Sequence, residues 1–546
     1  MQQVRVRGVS GAAALSASLY EHHRRSAAVL CDGSAPAPPA PAPAPAPGAA
    51  AAPVFSVYSY AANRPCEDRF AVKSQAGVRF ATAAPSAARA SVFAVFDGHG
   101  GWQVAEWASQ RLLPNIEAEL LGSSRGFVGG GAAAAATAAA APGGMLTSSS
   151  VSSSAVASVA LSSEDSPVAA CSPPGGGRER RPAAVAEPNA LIARALARGF
   201  ERTDRDYAAA VRAAFDAGYG EVAKVGACAI VAIVVPPPAG EGGDSSGGGG
   251  GGAAGGTLYV ANAGDCRAVL GRRRTLAVPG GGEGGGEGGG DGTAGAAAAV
   301  RSSAVQAVTL STDHNAKLPA EKALLLAEHG PFGEEGAGSL VACKSADACY
   351  VKGRLQPTRG LGDLYLKHGE FNGPPHGGAD DARLFRRARG RHVPPPHTPP
   401  YVHAAPSVVA HAIDPSGFDE LLVMGSDGLW DFVSAEEAVA FVAARRDARR
   451  QRQAWAEGEE GAVVGAGAVV GGNAAAEGAG GEGASLAEQL AQYALDKAAA
   501  QAELSPEELR ALPAGSARRN VHDDTTVIVV ELSPPCSGIS PRKSYV

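Results

Sequence analysis

Acidic residues and a histidine recur at the ends of apolar runs in this chain. Phe93-Ala94-Val95-Phe96 ends on Asp97-Gly98-His99-Gly100-Gly101, and Leu421-Leu422-Val423-Met424-Gly425-Ser426 ends on Asp427-Gly428-Leu429-Trp430-Asp431. Near the C-terminus His522-Asp523-Asp524 precedes Thr525-Thr526-Val527-Ile528-Val529-Val530, and Glu67-Asp68 lies between two strand-like stretches. Hard divalent cations such as magnesium and manganese take oxygen ligands, a few of them carboxylates. Glu67, Asp68, Asp97, Asp427 and Asp523 could supply such ligands from separate strand ends. Two ions held about 4 Å apart activate a shared water and clamp both oxygens of an in-line displacement at phosphorus. His99, two residues from Asp97, could protonate the leaving oxygen. A single aspartate before glycine is ordinarily a turn residue. Its repetition after several apolar strands favours the metal reading.

The elements that would position these groups follow from periodicity. Residues 54–60 alternate as a half-buried strand, and 71–80 read as a second. Val104, Trp107, Ala108, Leu112 and Ile116 fall at helical spacing within 102–120, with Pro114 as a kink, and 190–214 reads as another amphipathic helix. The apolar run 227–235 is a strand. Residues 258–262 and 267–270 are predicted to form a hairpin around Ala263-Gly264-Asp265, with Asp265 at its bend. Helices are predicted over 318–329, 435–449 and 485–503, and a last strand over 525–530. Clustered strands with intervening helices indicate an α+β fold with largely antiparallel sheets.

Composition bounds the rest. The 546 residues include 73 glycines and 38 prolines, concentrated near 36–53, 122–188, 236–256, 279–299 and 456–483. These tracts carry too few large apolar side chains to offset the entropy of ordering. About 340 patterned residues remain, ample for one large core. The expectation is a single domain over 54–532 with disordered inserts, a disordered region over 1–53 and a disordered tail over 533–546. A formal charge of −6 and a pI near 6.1 give no general pull toward nucleic acid or an anionic membrane. Arg383, Arg386, Arg387, Arg389 and Arg391 read as a solvated loop. The eight cysteines (Cys31, Cys66, Cys171, Cys228, Cys266, Cys343, Cys349 and Cys536) show no CxxC pairing. Neither a zinc site nor a disulfide framework is expected, and a reducing compartment fits best. No apolar run approaches the roughly 20 positions of a membrane span. The first 20 residues lack acids and carry Arg5 and Arg7, a pattern shared by organellar transit peptides and plain disordered tails.

Taken in order, Phe93 through Gly101, Ala263-Gly264-Asp265-Cys266-Arg267-Ala268, Ser426-Asp427-Gly428-Leu429-Trp430-Asp431 and Asp523-Asp524-Thr525-Thr526-Val527 resemble the motif set of the metal-dependent serine/threonine protein phosphatases (PPM, type 2C). The resemblance implies two packed antiparallel β-sheets flanked by helices, with a pair of Mg or Mn ions in a cleft at one edge of the sandwich. It implies a monomeric catalytic domain that acts on phosphoserine and phosphothreonine proteins through metal-activated water, without a phosphoenzyme. On this likeness Asp97 matches the ligand that bridges both ions, Asp427 and Asp523 complete one ion, and Glu67 with the Gly98 carbonyl serves the other. Asp68 would act through water, Asp265 and Asp431 match positions of a weaker third ion, and His99 matches the general acid. One departure concerns the phosphate-binding arginine that many members carry four residues before the glutamate, where this chain has Asn63. Arg64 is adjacent but faces differently in an extended segment.

Four further stretches resemble the pyruvate dehydrogenase phosphatase branch of the family. They are Asn63-Arg64-Pro65-Cys66-Glu67-Asp68-Arg69, Thr312-Asp313-His314-Asn315-Ala316, residues 353–363, and His397-Thr398-Pro399-Pro400-Tyr401 with Pro406. That likeness implies a mitochondrial location, with cytoplasm or plastid as the alternatives. Other phosphatase chemistries fit poorly. Cys266 and Arg272 have the spacing of a cysteine phosphatase loop but enclose a strand pattern, and Cys536 and Arg542 have no helix after them. Asp204 and Asp206, the one pair spaced for an aspartyl-phosphate mechanism, fall in a helical pattern. The remaining alternative is a catalytically idle scaffold of the same fold that binds phosphoproteins, which the presence of every expected carboxylate disfavours.

Overall fold

The computed structural model describes residues 53–79, 89–129, 186–217, 219–236, 256–276, 302–330, 339–373, 393, 397–414, 419–456 and 483–532. The predicted N-terminal region, the C-terminal tail, the arginines between 383 and 391 and nearly all of the predicted inserts lie outside these residues. In chain order the elements are β1 (Val54–Tyr60), β2 (Arg69–Arg79), β3 (Arg89–His99), α1 (Gln103–Gly129), α2 (Ala186–Asp216), β4 (Gly226–Val235), β5 (Thr257–Ala263), β6 (Arg267–Leu276) and β7 (Ser302–Thr309). There follow α3 (Pro319–His329), β8 (Val341–Cys343), β9 (Cys349–Val351), β10 (Leu361–Gly362), α4 (Leu364–Lys367), β11 (Ser407–Ala412), β12 (Asp419–Gly425) and α5 (Asp427–Trp430). The last are α6 (Ala435–Ala456), α7 (Leu486–Gln501), α8 (Pro506–Ala511), α9 (Ser516–Arg519) and β13 (Thr525–Glu531).

Two antiparallel sheets pack face to face. One has the order β1-β13-β12-β6-β7, the other β11-β5-β4-β3-β2 with β10 added beside β4. Side-chain alternation sorts each central strand between two cores. On β3, Phe93 and Val95 point into the space between the sheets, where Ile230, Leu270, Met424 and Ile528 meet them. Val92, Ala94 and Phe96 point the other way, onto Ala108, Leu112 and Ile116 of α1 and Leu196 and Phe200 of α2. Leu421 and Val423 of β12 and Val527 and Val529 of β13 face outward from the other sheet onto α6 and α7. The result is a helix–sheet–sheet–helix sandwich, the predicted fold class.

Three expectations are corrected. Residues 258–262 and 267–270 do not form a hairpin, because β5 pairs with β4 and β11 while β6 pairs with β12 and β7. The turn between them carries the chain from one sheet to the other. Asn262 holds it by donating from Nδ2 to the Gly264 and Thr312 carbonyls at 3.0 and 2.9 Å, bonds that take the place of a hairpin ladder. Second, Cys343 and Cys349 form a disulfide. They stand directly opposite one another across β8 and β9, a proximity that spacing in the sequence does not reveal. Third, α1 continues to Gly129 and α2 begins at Ala186, so helix extends into both ends of the predicted 122–188 insert. Strands β7 and β11 were absent from the periodicity reading. Both are edge strands, for which only a weak apolar pattern is demanded.

Candidate functional site

Antiparallel pairing explains why the acids meet. Gly425, the last residue of β12, pairs with Val527 near the start of β13 and with Arg267 at the start of β6. The segments carrying Asp427, Asp523 and Asp265 therefore share one edge of the first sheet. In the second sheet His99 ends β3 opposite Gly226 at the start of β4, and Ala263 ends β5 opposite Ala229. Asp97 alternates to the same side as Phe93 and Val95, into the gap between the sheets. The Asp427 N–H, 3.4 Å from Asp97 Oδ2, spans that gap.

The Glu67–Asp68 segment is tied to the same edge by hydrogen bonds. Asp524, only 2% exposed, accepts from the Ala62 and Asn63 backbone N–H groups at 2.6 and 2.8 Å, from Asn63 Nδ2 at 3.1 Å and from the Glu67 N–H at 2.6 Å. This clip wraps residues 62–67 around one carboxylate. The Ser426 hydroxyl donates to Asp68 Oδ2 at 2.8 Å, tying that segment to the end of β12. Asn63, standing where the resemblance puts a phosphate-binding arginine, is committed to Asp524 and lies 3.5 Å from Asp523 Oδ1. A different cation approaches the cluster, since Arg519 of α9 is ion-paired with Asp523.

The electrostatics are those of crowded acids. Burial, then Asp427, Asp68, Asp523 and Asp265, push the Asp97 carboxyl well above the usual range. Burial and Asp523 do the same to Asp427. For Asp68 the causes are burial and Asp524, partly offset by the Ser426 and Thr526 hydrogen bonds. Burial and Asp524 push Glu67 up to about 7. Burial raises Asp523 to about 6 against the lowering influence of Arg519. Asp431 is raised by burial and Asp265. Asp265 accepts from Asn315 Nδ2 at 2.9 Å and from the Cys228 thiol at 3.2 Å.

The fit to a metal can be tested on these atoms. Among the described residues Asp68 Oδ1 and Asp427 Oδ1 are buried without a hydrogen-bond partner, and each of the raised carboxyls would regain its charge beside a cation. Among the described residues no group of three or more His, Cys, Asp and Glu side chains stands close enough together to hold a metal ion. The carboxylates along this edge are the oxygen donors that small octahedral ions take, a few at a time. The donor set fits magnesium or manganese.

All the residues singled out from the sequence, Glu67, Asp68, Asp97, Gly98, His99, Asp265, Asp427, Asp431 and Asp523, lie at this edge or on the segments that enter it. Residues given no role by sequence reasoning also belong there: Asp524, Ser426, Asn315, Cys228 and Asp363. Asp363 Oδ2 lies 2.6 Å from His99 Nε2. Asp524 adjoins Asp523 in the sequence, which is a detectable signal. Ser426 and Asn315 carry none until folded.

Comparison with known proteins adds an independent line. The family model described as Protein phosphatase 2C matches residues 184–459, just over half of the chain. A relative named "Probable protein phosphatase 2C 67" from Arabidopsis thaliana is 28% identical over 339 residues, 62% of this chain and 64% of its own length. "Probable protein phosphatase 2C 61" from Oryza sativa subsp. japonica is 32% identical over 276 residues, covering 50% of this chain and 53% of its own. The chain thus spans less than two thirds of the length of the curated relatives it matches. A crystal structure of serine-threonine phosphatase 2C from Toxoplasma gondii overlays with a TM-score of 0.42 at 14% identity, covering 88% of this chain and 96% of that one.

Proposed function

Because this chain belongs to the protein phosphatase 2C family, we propose that it is a metal-dependent protein serine/threonine phosphatase that hydrolyses phosphomonoesters with water and forms no phosphoenzyme. The observation that carries the reading is the convergence of buried, mutually repelling carboxylates from both sheets at one edge, with Asp68 Oδ1 and Asp427 Oδ1 unpartnered among the described residues. Asp97, Asp427, Asp523, Glu67 and the Gly98 carbonyl would hold two Mg or Mn ions, with Asp265 and Asp431 serving a third and Asp68 acting through water. When bound, such ions neutralise phosphate charge and lower the pKa of water to a usable range.

The chain's own residues supply the rest. The Asp524 clip holds Glu67 against the start of β13, and Ser426 holds Asp68 at the end of β12. His99 donates a proton to the departing serine or threonine oxygen. The domain responsible would run from 54 to 532.

The finer reading is a pyruvate dehydrogenase phosphatase-like enzyme acting in mitochondria. Its support is the set of sequence likenesses around Asn63, Thr312, residues 353–363 and His397, together with the acid-free first 20 residues. Fusing residues 1–50 to a fluorescent protein tests the location; cytosolic retention would remove that finer reading.

For the activity itself, manganese-dependent phosphate release from a phosphoserine peptide is expected from the wild type. Asp97→Asn should lower kcat by about 10³-fold, because several kcal/mol of metal-derived stabilisation goes with the carboxylate. Full activity in Asp97→Asn, or none in the wild type, sinks the proposal.

A further inference from the structure

The short loop between β10 and α4 carries a carboxylate that the metal reading does not use. Asp363 is 1% exposed, and its Oδ2 lies 2.6 Å from His99 Nε2. A carboxylate only accepts, so Nε2 carries the hydrogen of this bond. The other carboxylate oxygen, Oδ1, is buried with no hydrogen-bond partner among the described residues. Asp363 also adopts the left-handed region, with φ 48°, a conformation that costs an ordinary residue free energy and is retained where the surroundings impose it. Burial, strain and a single directed contact all point at the imidazole.

The sheet explains how the two side chains meet. Strand β4 runs between β3 and β10, and its first residue, Gly226, is the register partner of both His99 and Gly362. His99 and Asp363 join across the space above Gly226. A β carbon at that position would collide with both Asp363 Oδ2 and His99 Nε2, so glycine is the residue that leaves room for the pair.

The loop is in turn fixed from behind. Asp204 of α2 accepts the Gly362 N–H at 2.7 Å on Oδ1 and pairs with Lys367 Nζ at 2.8 Å through Oδ2. Lys367 also donates to the Gly360 carbonyl at 2.7 Å. The Lys367 and Asp204 side chains are only 5% and 9% exposed. The Asp363 N–H bonds to the Val225 carbonyl at 2.8 Å. Both ends of the segment 360–367 are therefore anchored to α2 and to the approach to β4, and Asp363 has little freedom to follow a moving histidine.

From this we infer that Asp363 is a positioning residue for hydrolysis: it holds the His99 ring by Nε2 in a fixed orientation at the edge where the carboxylates converge. The inference rests on the phosphatase reading and adds a residue to it. In the step it serves, water oxygen bonds to phosphorus as the phosphorus–oxygen bond to the serine side chain breaks. The bonding pair stays on the serine oxygen, which takes a proton from His99, while both protons of the water remain on the phosphate product and the histidine regains its proton from solvent. Asp363 keeps its hydrogen bond to the ring throughout.

The test compares two leaving groups on the manganese-loaded full chain. A phosphoserine peptide expels an alkoxide that needs the proton, whereas p-nitrophenyl phosphate expels a phenolate that does not. Asp363→Asn should lower kcat on the peptide by about 10²-fold while KM stays within about threefold, and its loss on p-nitrophenyl phosphate should be less than about one tenth as large. His99→Ala should show the same pattern, and the double variant should be no worse than His99→Ala alone. Gly226→Ala displaces the pair without altering either member, and should reproduce the selective loss even where Asp363→Asn is poorly folded. Equal losses on both substrates, or additive losses in the double variant, overturn the assignment. A wild type that turns over neither substrate overturns the phosphatase reading itself, and the assignment with it.

Discussion

The two sides of the cleft are fastened by opposite means. On the side of β12 and β13, Asp524 gathers residues 62–67 by accepting N–H groups, and it adds negative charge to a cluster already rich in it. On the side of β3 and β10, Asp204 meets a cation, Lys367, and the pair is buried and closed. The first side is stable only to the extent that N–H donors, or a bound cation, answer its charge. In the second, the Asp204–Lys367 pair is matched in charge before anything binds. A site that must accept divalent ions gains from the first arrangement, and a site that must hold a histidine still gains from the second.

The largest effect on stability should come from breaking the closed side. Lys367→Met leaves Asp204 buried without its counter-charge, which costs about 4 kcal/mol. Urea denaturation would read the loss, and folded variant should show lower kcat with an unchanged manganese requirement. A change below about 1 kcal/mol would mean that water reaches the pair and that the contrast is false.

On the open side the same kind of deletion should cost less. Asp524→Ala orphans several N–H groups but also removes repulsion from Glu67 and Asp68, and a net loss of about 2 kcal/mol is expected. Its functional mark should differ too, appearing as a higher manganese concentration for half-maximal activity, because the Glu67 segment is no longer held. If Lys367→Met and Asp524→Ala shift the manganese requirement equally, the two sides are not separable.

The smallest effect is a pH dependence confined to the open side. Glu67 rises from 4.5 to about 7 and Asp523 from 3.8 to about 6 on folding. A carboxyl whose folded pKa is raised favours the fold below its unfolded value, and that advantage is lost as pH rises through the folded value. The metal-free protein should therefore lose stability from these two groups between about pH 4 and pH 7. Manganese reverses the loss by answering the charge. The rise in Tm on adding manganese should be at least about 3 °C larger at pH 7.5 than at pH 5.5. Equal shifts at the two pH values would show that the raised carboxyls do not face the ion.

Much of this architecture was legible in the chain. Long apolar strands such as 227–235 and the helices packed on them declare themselves through periodicity, because each buries a whole face. Glu67, Asp97, His99, Asp427 and Asp523 were legible because they stand at the ends of such strands. The edge strands β7 and β11 were not, since an edge with one exposed face asks little of its residues. The supposed hairpin around Asp265 failed for a related reason: a turn between two strands looks alike in sequence whether the strands pair or part to separate sheets. The disulfide between Cys343 and Cys349 likewise depended on register.

The sequence alone thus determined which groups could do the chemistry, because residue type and local period suffice to place an acid at the end of a buried strand. Only the tertiary structure decided what holds them. Asp363 reaches His99 across 264 positions of chain, and Asp204 reaches Lys367 across 163. Contacts of that range are set by which strands become neighbours, here β3, β4 and β10 meeting at Gly226, and no local pattern encodes that adjacency.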